Sequence, residues 1–228
     1  MCGRYTIREL RLLEAALGVL SSLDFEEFTE KVNQHGLYNV APSHFCPVIR
    51  PNKDGKPTLG LARWGLIPSW VKGKPKMQPI NAKSETAATS GMFRQAMERR
   101  RCLVPADGFY EWQGAKPPKQ PYFIRMKDDK PFAFAGLWER WKPAEGAEPV
   151  DTFTILTTQP NDVLRPIHNR MPVILARSAY ERWMDRNDKS VDVADLLKPF
   201  DAERMEAFKV SSKVNKPGNN DPSLVEPI

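Results

Sequence analysis

Short apolar segments separated by Pro- and Gly-rich breaks run along this chain and restrict the folds that it can adopt. The sequence has 228 residues, of which 21 are Pro and 13 are Gly. Aromatic and β-branched residues predict strands at 48–50, 59–64, 102–104, 109–112, 122–126, 132–138, 152–158, 172–175 and 210–214. Strands and helices do not alternate regularly. The pattern predicts an α+β protein with one domain over residues 1–228, built on a curved, largely antiparallel β-sheet or open barrel with peripheral helices.

Three helices are predicted around this sheet. Thr6 and Glu9 have the spacing of a capping box, and leucines then recur at helical intervals, so the first helix is expected over 7–19. Residues 2–5 remain as a short extended arm before it. The second and third helices are expected over 84–99 and 178–186.

Composition indicates a soluble intracellular protein. No apolar run approaches the roughly 20 residues that a membrane-spanning helix needs. Charged residues such as Arg4, Arg8 and Glu9 replace the apolar centre of a signal peptide. We expect a cytoplasmic protein, associated with the nucleoid if the source is bacterial. The three cysteines are too far apart to suggest a disulfide framework or a metal site, so we predict neither metal nor cofactor.

The excess of basic residues permits an acidic partner. The net charge is +6. Lys72, Lys74 and Lys76 alternate through a Pro/Gly loop, and four arginines lie between residues 94 and 101. Such clusters fit nucleic acid, although a solvated surface is the commoner explanation for any one such run.

Cysteine at position 2 offers unusual chemistry. An initiator Met is removed when a small side chain follows, which would leave Cys2 with an α-amine beside its thiol. Ordinary pKa values of about 8 and 8.5 give both groups a nucleophilic fraction near neutral pH. Such a residue can capture an aldehyde first as a Schiff base and then as a five-membered thiazolidine. Alone, the same Cys2 could be an unremarkable small residue near a terminus.

Three further polar residues lie in apolar or Pro/Gly-rich surroundings. Asn81 falls just before the second predicted helix and suits either a site or a loop cap. Glu111 lies between Tyr110 and Trp112 in a strand. Enclosure by these rings would raise the pKa of its carboxyl for general acid work, but alternation could equally expose it. His168, in the segment 166–172, is either an acid-base group or a hydrogen-bonded structural histidine.

Seven segments together resemble one family. In chain order they are Met1-Cys2-Gly3-Arg4, Tyr38-Asn39-Val40-Ala41-Pro42, Arg63-Trp64-Gly65-Leu66-Ile67-Pro68-Ser69-Trp70, Asn81-Ala82-Lys83-Ser84-Glu85-Thr86, residues 102–112, Ala135-Gly136-Leu137-Trp138 and His168-Asn169-Arg170-Met171-Pro172. They are similar to the successive signatures of the SRAP family of abasic-site processing proteins. The resemblance extends through residues 210–215 to Glu226-Pro227.

The resemblance implies covalent capture of abasic (AP) sites in single-stranded DNA by a monomer that shields the lesion during the DNA damage response. It implies that Cys2 is the nucleophile, that Asn81 positions the amine or sugar, that Glu111 moves protons and that His168 assists acid-base steps and reversal. Self-reversal, AP-lyase and autoproteolytic activities would accompany capture.

The resemblance also indicates DNA contacts. Arg4, Lys83, Arg94 and Arg170 are the predicted phosphate ligands, and Trp70 and Trp112 are the predicted stacking surfaces; Trp64 and Trp138 are assigned to the core. Three positions depart from the family pattern. Lys83 stands where Arg is common, Gly91 where some members carry Arg, and Asn169 where Asp usually follows the histidine. Lys lacks the bidentate geometry of Arg, so the first change affects affinity more than chemistry.

Two other functions fit parts of the sequence. In an N-terminal-nucleophile amidohydrolase or peptidase, the Cys2 thiol would attack an amide and form a transient acyl-enzyme. A non-catalytic single-strand-binding module would use the basic groove and tryptophans alone and form no covalent species.

Overall fold

The strands of this protein form two sheets. The structure is a computed structural model that describes residues 2–8, 37–144, 146–185 and 192–228. In these ranges the strands are β1 Arg4–Ile7, β2 Leu37–Val40, β3 Phe45–Pro51, β4 Pro57–Trp64, β5 Asn81–Lys83, β6 Arg101–Ala106, β7 Gly108–Gln113, β8 Gln120–Met126, β9 Phe132–Trp141, β10 Val150–Thr158, β11 Met171–Pro172, β12 Ile174–Leu175 and β13 Met205–Lys209. A five-stranded sheet has the order β13-β8-β7-β1-β2, and the other strands belong to an eight-stranded sheet.

The larger sheet closes on itself. Its central strands follow the order β10-β4-β3-β6-β9, and β9 then pairs with β10 from Val150↔Trp141 to Ile155↔Gly136. Only the pairings of β10 with β4 and β5 are parallel among the described strands. The predicted α+β class and largely antiparallel sheet are therefore confirmed, and the barrel is closed rather than open.

Aromatic packing joins the five-stranded sheet to the barrel. The Tyr5 ring in β1 meets Trp64 of β4 edge-on with centroids 5.2 Å apart, and meets Phe134 of β9 at 5.9 Å. All three side chains are buried. Burial of one such side chain is worth roughly 1.5–3 kcal/mol, so this cluster holds the N-terminal strand against the barrel mouth.

The helices are shorter than predicted. They are α1 Ser84–Ala87, α2 Arg94–Arg99 and α3 Tyr180–Met184. The predicted helix over 84–99 is interrupted because Ser90 Oγ accepts a hydrogen bond from the Met92 backbone N–H, which competes with helical pairing. The predicted helix over 7–19 is absent at its start, because Ile7 belongs to β1 and Arg8 is not helical, and residues 9–19 lie outside the described residues.

Most predicted strands are present with longer bounds, and four strands were missed. Residues 210–214 were wrongly predicted as a strand. The missed strand β13 ends just before them at Lys209, and Ser211 caps a 3₁₀ turn over Ser212–Asn215 by accepting a hydrogen bond from the Lys213 N–H. The other three missed strands are shorter: β1, β2 and β5 are each three or four residues long.

Candidate active site and nucleic-acid interface

Strand β1 places Cys2 inside the protein. The strand lies between β2 and β7, so its backbone is paired on both sides. Cys2 lies two residues before Arg4, the first residue of β1, and is fully buried in the cluster that also contains Tyr5. Its thiol donates a weak hydrogen bond to the Arg4 carbonyl, with 3.7 Å between Sγ and O. The predicted extended arm is thus the start of a central strand.

Asn81 holds the backbone of Cys2. Strand β5 pairs in parallel with β10, where Asn81 lies opposite Ile155. From this position Asn81 Nδ2 donates to the Cys2 carbonyl oxygen at 2.8 Å. The other end of the amide, Oδ1, is buried and has no hydrogen-bond partner among the described residues. An acceptor is therefore available next to the Cys2 backbone for an amine or a sugar hydroxyl.

Glu111 faces the interior. Successive strand residues point to opposite faces, so Glu111 shares the face of Phe109 in β7, while Tyr110 belongs to a second apolar cluster. Glu111 is 1% exposed, and burial raises the pKa of its carboxyl to about 7. The strand alternation that left two possibilities open is settled in favour of the buried one.

Cys2 and Glu111 influence each other. Burial raises the pKa of the Cys2 thiol well above its usual range, and the negative charge of Glu111 raises it further. The thiol is therefore protonated at neutral pH, contrary to the ordinary pKa assumed from the sequence. A buried carboxyl with a pKa of about 7 can accept that proton when the sulfur forms a bond.

His168 lies on the loop between β10 and β11. His168 Nδ1 lies 3.0 Å from the Arg170 backbone nitrogen, from which it accepts a hydrogen bond when the neutral imidazole carries its hydrogen on Nε2, and 3.2 Å from the Arg170 carbonyl oxygen, to which it donates in the other tautomer. Burial lowers the pKa of His168, so the neutral form is favoured. The loop is tied to the site at two points. Pro166 O accepts from Gln113, two residues beyond Glu111, and Arg170 contacts Thr157, which pairs with Lys83.

Arg170 is held by a carboxylate. Its Nη1 and Nη2 bind Glu85 Oε1 and Oε2 at 2.5 and 2.8 Å, and Nη2 also donates to Thr157 O at 2.5 Å. This pairing lowers the pKa of Glu85 to about 2. The predicted phosphate ligand therefore has its guanidinium plane fixed beside His168 by Glu85, a partner that the sequence interpretation did not assign.

Arg4 points to the opposite face of β1 from the core. Its Nη1 donates to Val214 O at 2.8 Å and to Asn39 Oδ1 at 3.4 Å. Burial lowers the pKa of Arg4, and it forms no ion pair with any residue that the structure describes. Its Nε is buried without a hydrogen-bond partner in the same ranges. A half-buried cation with neutral neighbours is suited to bind an anion.

Asn39 and Asn215 organise the segment beside Arg4. Asn39 Nδ2 donates to the carbonyl oxygens of Val214, Lys216 and Asn219 at 3.2, 3.0 and 2.9 Å. Asn215 Oδ1 accepts from Trp112 Nε1 at 2.7 Å. The C-terminal segment 212–220 thus borders both Arg4 and Trp112. Both asparagines stand in segments that carried the family resemblance, but their side-chain chemistry alone suggested nothing beyond a turn.

The remaining predicted DNA ligands lie further out. Lys83 is exposed at the start of α1, and Trp70 is 58% exposed. Arg94 lines a cavity of about 1100 Å³ together with acidic residues such as Glu85 and Glu98, and none of Cys2, Asn81, Glu111 and His168 lines that cavity. Of the ten predicted site residues, the structure brings Cys2, Asn81 and Glu111 together most closely.

The described residues contain no group of three His, Cys, Asp or Glu side chains arranged to hold a metal ion. Among those same residues, no helix is long and apolar enough to cross a membrane.

The protein thus combines a closed barrel of β10, β4, β3, β6 and β9, a second antiparallel sheet, and a cysteine buried next to the N-terminal strand. The chain belongs to the SOS response associated peptidase (SRAP) family, whose model matches residues 1–217. The resemblance found in the sequence motifs is confirmed.

Named relatives and a solved structure agree with this assignment. Abasic site processing protein YoqW of Bacillus subtilis is 41% identical over 230 residues, which cover 99% of each chain. Abasic site processing protein HMCES of Gallus gallus is 32% identical over 223 residues, covering 84% of this chain and 66% of that one. A crystal structure of a protein from Bacteroides thetaiotaomicron has a TM-score of 0.86, 29% identity and full coverage of both chains.

Proposed function

We propose that this protein captures abasic sites in single-stranded DNA as a thiazolidine on Cys2 after Met1 has been removed. The observation that carries the proposal is the amide of Asn81, which binds the Cys2 carbonyl through Nδ2 and keeps Oδ1 buried without a described partner. This amide can orient the newly formed α-amine of Cys2 beside the Glu111 carboxyl. The names of the relatives supply the substrate class.

Capture proceeds in two bond-forming stages. The amine of Cys2 adds to the sugar aldehyde, and its proton moves to the former carbonyl oxygen to give a carbinolamine. Glu111, whose pKa is about 7, donates a proton to the departing hydroxyl, and water leaves as the iminium ion forms, which leaves Glu111 as a carboxylate. The thiol then adds to the iminium carbon, and its proton returns to the Glu111 carboxylate. One water is released overall.

The remaining residues place the strand. In the tautomer with its N–H on Nε2, His168 donates a hydrogen bond to the sugar and can return a proton during reversal. Arg4, Lys83 and Arg170 bind phosphates, and Trp112, fixed by Asn215, stacks on a base or sugar. Arg94 and Trp70 extend the same interface along the strand.

Intact mass spectrometry with a single-stranded oligonucleotide containing one AP site tests this function. The wild-type protein without Met1 should gain the mass of the oligonucleotide minus one water, with the adduct mapped to Cys2. A form with one extra residue ahead of Cys2 should form no adduct, because the Cys2 nitrogen is then an amide whose lone pair is delocalised into the carbonyl.

Two cysteine variants sharpen the result. Cys2→Ala should give only an imine that borohydride traps, whereas Cys46→Ala, which removes another buried thiol, should react as the wild type does. A stable adduct on any residue other than Cys2, or on protein with a blocked Cys2 nitrogen, contradicts the mechanism. A transient acyl-enzyme with a peptide substrate would instead support the peptidase alternative, and strand binding without any adduct would support the binding-module alternative.

A further inference from the structure

The loop between β4 and β5 leaves the candidate site and returns to it. At its base the Leu66 N–H donates to Pro79 O at 3.1 Å, two residues before Asn81. Further out, Trp141 Nε1 donates to Val71 O at 2.8 Å, and the Gly73 N–H donates to Pro143 O at 3.2 Å. The backbone of the loop is therefore anchored at its base and at Val71 and Gly73.

This loop carries positive charge only. Residues 65–80 contain three lysines and no Asp or Glu. Lys72, Lys74 and Lys76 are exposed, and Lys72 and Lys142 both line a cavity of about 530 Å³ with no acidic side chain among its described lining residues. None of these four lysines forms an ion pair with a described residue, in contrast to Lys130, which pairs with Asp128 at 3.3 Å. We call Lys72, Lys74, Lys76 and Lys142 the lysine shelf.

Two exposed apolar side chains flank the shelf. Trp70 is 58% exposed just before Lys72, and Met77 is 64% exposed just after Lys76. Alternating cationic and flat apolar groups are the usual composition of surfaces that follow a nucleic-acid strand, since lysines meet phosphates and aromatic faces meet bases.

The shelf lies within reach of a strand captured at Cys2. Lys76 is five residues from Asn81, so their Cα atoms are at most about 18 Å apart. A strand that rises about 3.4 Å per nucleotide crosses this distance in about five nucleotides. Phosphates that flank the lesion by up to that number can therefore meet the shelf.

We propose that the lysine shelf is a second nucleic-acid contact, which binds the sugar-phosphate backbone flanking the abasic site. This inference rests on the proposed function for the position of the lesion. It assigns roles to Lys72, Lys74, Lys76 and Lys142, none of which touches Cys2, Asn81, Glu111 or His168. Strand length, rather than lesion chemistry, then determines how much the shelf contributes to affinity.

Equilibrium binding measures this contribution. The probes are oligonucleotides of 25 and 5 nucleotides with a central tetrahydrofuran abasic analogue, which has no aldehyde and forms no adduct. The triple variant Lys72→Gln/Lys74→Gln/Lys76→Gln should bind the longer probe at least about tenfold more weakly at low salt. Its plot of log affinity against log salt should be shallower by about two, because each lost phosphate contact on a single strand removes about 0.7. Binding of the 5-nucleotide probe should change by less than about twofold.

A matched variant controls for net charge. Lys53→Gln/Lys56→Gln/Lys127→Gln removes three exposed lysines that lie outside the shelf, and should leave both probes and the salt slope near wild type. Equal losses in the two triple variants, or an unchanged slope in the shelf variant, would overturn the inference. Crosslinking of a 5-nucleotide AP strand separates the two proposals: if the wild type fails there, the proposed function fails, while the binding comparison still decides the role of the shelf.

Discussion

At the scale of single residues, the burial of Glu111 makes the free energy of unfolding depend on pH. Its carboxyl has a pKa of about 7 against an ordinary 4.5, because burial disfavours the charged form. The folded state therefore favours the protonated acid. Its contribution to stability is complete below pH 4.5, declines as the pH rises, and is lost above about pH 7. The proposed role of Glu111 as a proton carrier near neutral pH depends on this raised pKa.

Glu111→Gln should remove that pH dependence. The amide keeps the shape of the side chain but does not ionise, so the variant should gain about 3 kcal/mol of unfolding free energy relative to wild type between pH 4 and pH 8. Urea unfolding at both pH values measures the difference. The same variant should form the crosslink more slowly. A constant difference between the two proteins across this range, or wild-type crosslinking kinetics, would contradict the assignment.

His168 shows how a neighbour can define a residue's role. In the tautomer in which Nδ1 accepts from the Arg170 N–H, Nε2 is the donor of the neutral imidazole. His168→Ala should therefore affect chiefly the turnover of the adduct, through reversal or strand cleavage, and should change the initial capture less. Gel assays that follow adduct formation and release separately check this order of effects.

At the scale of elements, Asn39 joins β2 to the C-terminal segment 212–220. Asn39→Ala would remove the donor from three carbonyl oxygens and should cost about 2–3 kcal/mol of unfolding free energy. Backbone amides of segment 212–220 should exchange with solvent at least about tenfold faster. Asn169→Ala, at an exposed loop position, is the control and should leave exchange in that segment unchanged. Unchanged protection in Asn39→Ala would show that Asn39 does not hold the segment.

Sequence patterns predicted the long elements better than the short ones. β9 and β10, with 10 and nine residues, contain enough apolar residues for a strand to be predicted from the sequence. Strands β1, β2 and β5 are too short for alternation to be evident, and they form because longer strands offer unpaired edges. The helix expected over 84–99 is interrupted where Ser90 Oγ accepts a hydrogen bond from the Met92 backbone N–H.

For the candidate site, properties of single residues could be predicted from the sequence, but contacts between residues distant in the chain could not. The chemistry of Cys2 could be argued from residue type, whereas residue spacing left the burial of Glu111 open, and the Tyr110 ring expected to enclose it belongs to the second apolar cluster. Glu85 could not be linked to Arg170, nor Asn39 to Val214, because these partners are 85 and 175 residues apart in the chain. Such contacts depend on which strand lies beside which, and no local pattern encodes that order.

At the scale of the whole molecule, closure of the barrel keeps the site in register. Gly136 in β9 lies opposite Cys102 of β6 and Ile155 of β10, and Ile155 in turn lies opposite Asn81. A Cβ at Gly136 would come within 2.7 Å of Val104 Cγ2 and 2.8 Å of Cys102 Sγ. The strands that position Asn81 therefore pack around the absence of a side chain at this point.

Gly136→Ala should destabilise the protein by about 1–3 kcal/mol, since overpacking displaces β6 from β9. Gly91→Ala is the matched control, because a Cβ there meets nothing within 4 Å among the described atoms. Thermal unfolding of both variants tests the prediction. Equal melting temperatures for wild type and Gly136→Ala would mean that the barrel adjusts without cost.

The place of β1 in the middle of its sheet also governs how the protein must be produced. Cys2 has no accessible surface and directly precedes a strand that is paired on both sides, so an affinity tag or vector-derived leader at this end would have to pass through the packed site. Ile228, by contrast, is 75% exposed. Fusion partners and fluorescent labels therefore belong at the C-terminus. In protein that keeps an N-terminal tag, the Cys2 nitrogen is an amide, and the free α-amine belongs to the first residue of the tag.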